Sequence, residues 1–134
     1  MRTNVTLALL ASLMLVGLSA PISGCASGST AEGTDYDFRV NELIATVPYS
    51  IEQTYEASLA VLRDDMRWVI EESAVDAFDG RIVARGAADN VRRVRLERRG
   101  DSLTEVRVMV ADGPFGDEDR SRAVMSRIEE RLSR

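Results

Sequence analysis

The chain has 134 residues, and its 17 basic and 22 acidic side chains leave a net charge of −5, so it lacks the basic surplus a general nucleic-acid binder needs. Every basic residue is arginine, histidine is absent and there is a single cysteine. That inventory excludes Ser–His and Cys–His nucleophilic pairs, a Schiff-base lysine and an intramolecular disulfide.

In chain order, Met1 to Asn4 carry the α-amino group and Arg2, and an uncharged run from Val5 to Leu18 follows. As a helix that run would rise about 21 Å, short of a hydrocarbon core of about 30 Å. A positive leader, a short apolar segment and small residues read as a secretory signal peptide over residues 1–24. Ile22-Ser23-Gly24-Cys25 resembles the lipobox of bacterial lipoproteins, with Ile22 where leucine is more usual. The resemblance implies diacylglyceryl transfer to the Cys25 thiol, cleavage between Gly24 and Cys25, and palmitate-type acylation of the new N-terminus. An uncleaved anchor with an incidental cysteine is the plainer alternative. The sole cysteine, however, falls at the cleavage site after a correct apolar run. Each buried methylene adds about 0.8 kcal/mol of membrane affinity, so several chains on one residue make release negligible. By the same resemblance, Ala26 rather than aspartate directs the protein to the periplasmic face of the outer membrane. Residues 25–37 are small and polar, a flexible tether whose coil spans roughly 20 Å.

One α+β domain is expected over 38–134. Glu42 to Val47 is strand-like and ends at Pro48. Ser50 and Gln53 form a capping box opening a helix over about 51–66, whose buried face carries Ile51, Tyr55, Leu59, Leu62 and Met66. Trp68 to Val75 is a second strand, with Trp68 covering the helix end. Asp79-Gly80 signals a turn into a third, Arg81 to Arg85. Strands from Val91 to Arg98 and from Leu103 to Ala111 alternate in period two. Asp117 can cap the closing helix, with Glu118 and Asp119 in its positive first turn. Val124, Ile128 and Leu132 recur along that helix, and Ala123 and Met125 widen the stripe. The reading is β-α-β-β-β-β-α, an antiparallel four- or five-stranded sheet with two helices on one face and its other face open.

If Ile82, Val94, Leu96, Val106 and Val108 point toward the helices, then Arg81, Arg85, Arg93, Arg95 and Arg107 point away. These five are the candidate anionic-ligand face, suited to lipid headgroups, an anionic envelope polymer or an acidic envelope protein. A solvated face of cross-strand Arg–Glu pairs, with Glu97 and Glu105, accounts for them without a ligand and is the reading preferred for this face. Asp112, Asp117, Glu118 and Asp119 could in principle meet a hard cation, but their spacing fits no EF-hand and helix capping explains three of them. No metal, cofactor or catalytic residue is therefore expected. The alternative is a cation-dependent enzyme or sensor built from carboxylates.

The chain resembles a family of small bacterial lipoproteins, the DUF3568-type, defined only as a domain of unknown function. The residues that carry the likeness are Ala45-Thr46-Val47-Pro48-Tyr49-Ser50-Ile51, Tyr55-Glu56-Ala57, Gly80-Arg81-Ile82-Val83-Ala84 and Gly113-Pro114-Phe115-Gly116-Asp117-Glu118-Asp119-Arg120-Ser121. The likeness covers about residues 40–133 and implies an address and a fold. The function expected is that of a lipid-anchored envelope lipoprotein, a non-catalytic binding or scaffolding module with no nucleic-acid partner.

Overall fold

Two consecutive residues in the left-handed region, Val40 (φ 47°) and Asn41 (φ 68°), fold the backbone back on itself between Arg39 and Glu42. Positive φ at both central positions matches the right-handed twist of flanking strands, so the turn closes a hairpin of β1 (Asp37–Arg39) and β2 (Glu42–Val47). The computed structural model describes residues 35–111 and 114–134, all within the unit Glu32–Arg134. The signal peptide 1–24, Cys25 and the tether up to residue 34 lie outside the described residues, as do Asp112 and Gly113.

Ser50 opens α1 (Ile51–Ala60) with both halves of the expected capping box: its Oγ accepts from Gln53 N at 3.3 Å, and Gln53 Oε1 accepts from Ser50 N at 3.2 Å. The helix then widens into a π turn, Val61–Asp65, which ends at left-handed Arg67 (φ 54°) with Trp68 N donating to Leu62 O. The buried stripe is Ile51, Thr54, Ala57, Ser58, Val61 and Leu62, while Tyr55, Leu59 and Met66 are only partly covered. Small and hydroxyl side chains there let the helix approach the sheet closely. Thr54 and Ser58 satisfy their hydroxyls by donating to the carbonyls of Ser50 (2.8 Å) and Thr54 (2.7 Å).

Four more strands follow: β3 (Val69–Val75), β4 (Asp79–Arg85), β5 (Val91–Gly100) and β6 (Leu103–Val110). The β3–β4 turn lies two residues earlier than the Asp79-Gly80 signal suggests. Asp76 Oδ1 accepts from Phe78 N and from Asp79 N, each at 2.8 Å, and so makes the turn itself. Gly80 instead stands inside β4, where a Cβ would come within 3.1 Å of Leu96 Cδ1. Asp117 caps α2 (Glu118–Leu132), its side chain accepting from Arg120 N at 3.0 Å.

The sheet is antiparallel throughout, with six strands in the order β1-β2-β6-β5-β4-β3. This corrects the expected four or five strands by one. The added strand is β1, three residues long and closed by Val-Asn, which carries no ordinary turn signal. Consequently Asp37 belongs to the sheet, and Tyr36 packs against the core and donates to Glu129 Oε2 at 2.6 Å. The α1 connection carries the chain from β2 to the far edge, β3, and α2 returns over β2 and β6. The core between helices and sheet holds Leu43, Val47, Ile82, Val94, Val106, Val108, Met125 and Ile128, all at most 2 % exposed. Ser121, also buried, ties α2 to the sheet: it donates to Asp117 O (2.7 Å) and accepts from Val110 N (3.2 Å).

Candidate ligand-contacting surfaces

Strand register brings Arg81, Arg95 and Arg107 into one row across β4, β5 and β6, directly opposite one another. Like charges so placed repel, and the adjacent row supplies the compensation: Asp79, Glu97 and Glu105 stand opposite one another along the same three strands. Arg107 meets Glu105 at 2.6 Å and Glu97 at 3.8 Å. Arg99 meets Glu97 at 2.8 Å and Glu105 at 2.7 Å. Arg81 reaches Glu72 at 3.6 Å and Arg95 reaches Glu42 at 3.7 Å.

Arg85 bonds Glu71 and meets Asp89 at 3.0 Å, and both carboxylates raise its pKa. The side chain of Glu105 is 14 % exposed. Burial pushes its carboxyl upward, but the hydrogen bonds from Arg99 and Arg107 outweigh that and hold it below the ordinary value. Arg93 stands apart. It lies between Val83 and Met109, and its buried Nε has no hydrogen-bond partner among the described residues. Its aliphatic stem is placed to shield Val83, which is only 8 % exposed on this side of the sheet.

Of the five arginines of the open face, Arg81, Arg95 and Arg107 are thus brought together in a lattice of alternating charge, while Arg85 pairs separately with Glu71 and Asp89 and Arg93 stands apart. A concavity of about 320 Å³ opens over Arg81, Arg95 and Arg107, with Asp79 and Glu97 also in its wall. Each ion pair there is solvent-screened and contributes a few tenths of a kcal/mol, roughly up to 1 kcal/mol where burial is greatest.

A second surface was not read from the sequence. Arg92 shares its parity along β5 with Val94 and Leu96, so its side chain enters the helix-covered face, where it is 5 % exposed. That parity was a legible signal: an arginine in register with inward apolar positions needs partners at depth. Its guanidinium lies 5.2 Å from the Trp68 ring centroid and donates to Ala111 O. Burial lowers the Arg92 pKa, with Asp117 acting in the opposite direction. Beside this stack lies a cleft of about 530 Å³ between the end of the π turn, the β4–β5 loop and the start of α2. Met66, Trp68, Ala87, Ala88 and Ala123 supply apolar wall, and Asn90, Arg92 and Arg120 supply polar atoms.

The acidic segment before α2 is engaged locally. Asp117 caps the helix, Glu118 meets Arg122 at 2.8 Å, and Asp119 sits in the first turn. Among the described residues, no group of three or more His, Cys, Asp or Glu is placed to hold a metal ion. No helix among them is long and apolar enough to cross a membrane.

A six-stranded antiparallel sheet with two helices, an ion-paired face and a cleft beside α2 places the protein among small α+β modules. The chain belongs to the family described as "Protein of unknown function (DUF3568)", which matches residues 4–131. No curated protein matches it.

Proposed function

We propose that this is a lipid-anchored protein of the bacterial cell envelope, whose α+β domain is a non-catalytic binding or scaffolding module. The observation that carries the anchor is Ile22-Ser23-Gly24-Cys25 at the end of an uncharged apolar run, with the one cysteine of the chain at the modification position. The lipid would hold the domain to the periplasmic face of the outer membrane, in keeping with Ala26 after the cysteine. The domain would then meet an envelope protein or anionic polymer with its surface. The paired charges of the open sheet face support a role in orientation and selectivity more than in raw affinity.

Labelling with a palmitate analogue, followed by membrane fractionation, tests the anchor. The parent chain is expected in the membrane fraction with label. Cys25→Ser is expected without label and with its leader uncleaved. Equal labelling and equal processing of the two would refute the reading. For the sheet face, an Arg93→Glu/Arg95→Glu double variant is expected to recover less envelope partner in a crosslinked pull-down. Unchanged recovery removes that face from the account.

A further inference from the structure

We infer that the Trp68–Arg92 cleft is a binding site for a small organic anion, an apolar body bearing one carboxylate or sulfonate. Its volume, about 530 Å³, lies within the range of pockets that hold small molecules. The shape comes from small residues: Gly86, Ala87 and Ala88 of the β4–β5 loop form one wall, and Ala123 of α2 another. At Gly86 a Cβ would come within 3.2 Å of Arg92 Nη2, so even one methyl group would crowd the guanidinium.

Trp68 lines the cleft as well. Trp68 is held by its backbone bond to Leu62 O and by contact with the core, and its ring faces Arg92. The side chains lining the cleft among the described residues are apolar, amide or cationic. Arg120 stands there in the first turn of α2, with Asp117 at 3.4 Å. An apolar body would lie against Met66, Ala88 and Ala123 while its anionic head meets Arg120 and Asn90 at the mouth, near the buried Arg92 guanidinium. Such a head gains charge-assisted hydrogen bonds, which a neutral ligand of the same shape does not. This inference gives the binding-module reading a ligand class but does not need lipid on Cys25.

Trp68 is the one tryptophan of the chain, so its fluorescence reports this cleft alone. The full-length protein in non-ionic detergent is titrated with 4-nitrobenzoate, a quenching aromatic anion, and with neutral 4-nitrobenzyl alcohol. Saturable quenching is expected from the anion and only linear, collisional quenching from the alcohol. Arg120→Gln, at an exposed position, is expected to weaken the anion about tenfold, the loss of one charge-assisted hydrogen bond. Ala123→Leu, exposed and helix-compatible, is expected to fill the cleft and abolish saturation. Circular dichroism checks that both variants remain folded. Linear quenching by the anion, or an affinity that either variant leaves unchanged, overturns the assignment. Saturable quenching in a Cys25→Ser chain that is labelled and processed like the parent would sink the anchor and keep the cleft. The opposite pair of results would do the reverse.

Discussion

Glu105→Gln isolates the electrostatic knot of the open sheet face, because it removes one charge and almost no volume. In the parent, Oε2 accepts from Arg99 Nη2 (2.7 Å) and Nε (3.1 Å), while Oε1 accepts from Arg107 Nε (2.7 Å) and lies 2.6 Å from its Nη2. Glutamine keeps one carbonyl acceptor and turns an NH₂ toward the other guanidinium. A hydrogen bond to a charged group contributes about 1.5–3 kcal/mol when shielded, and an exposed ion pair about 0.2–1 kcal/mol. Glu105 is shielded, but Arg99 is 42 % and Arg107 34 % exposed, so the pair sits between those limits. The expected cost is about 1–2 kcal/mol, or roughly 5–10 °C in thermal midpoint for a domain of this size.

Urea unfolding of the Glu32–Arg134 unit, followed by Trp68 fluorescence, measures the difference. Its pH dependence is the sharper test. The folded Glu105 carboxyl titrates below its ordinary value. Its stabilisation is therefore fully present above about pH 5 and is lost as pH falls through the folded pKa. Parent and variant should differ at pH 7, and the difference should shrink as pH falls through the folded pKa, where the protonated acid resembles the amide. A difference that does not shrink on acidification, or one under about 0.3 kcal/mol at pH 7, would show that the knot is screened away and refute the reasoning.

Val40 holds a left-handed backbone with a β-branched side chain that is 93 % exposed. Val40→Asn should therefore raise stability by about 0.5–1 kcal/mol in the same unfolding assay, since the left-handed region costs most L residues about 1–2 kcal/mol. Ser121→Ala withdraws the acceptor that Val110 N finds on α2. It should lower stability by about 1–3 kcal/mol and speed hydrogen exchange at Val110 relative to Val108.

Much of the fold was legible from local pattern. The Ser50–Gln53 capping box, the Asp117 cap and the period-two runs of β5 and β6 are set by side-chain chemistry a few residues apart, so neighbouring letters suffice to find them. Parity likewise placed Arg81, Arg93, Arg95 and Arg107 on the face away from the core. The Asp79-Gly80 turn misled because Asp76 offers a competing carboxylate three residues earlier, and the two turns differ only in which closes against the strand register. β1 was missed because its strand is three residues long and its Val-Asn turn draws its left-handed backbone from pairing with β2, which no propensity records.

By its composition alone the chain ruled out histidine, lysine and intramolecular disulfide chemistry, and by spacing it set which side of β5 and β6 is wet. Only tertiary structure decided that, among the described residues, Arg81, Arg85, Arg95, Arg99 and Arg107 of that face each meet an acid, because cross-strand register is fixed by the whole sheet. It also decided that Trp68 and Arg92, 24 positions apart in the chain, stack beside a cleft. That meeting depends on the π turn and left-handed Arg67 at the end of α1, which rotate the indole toward β5 after the helical period has ended.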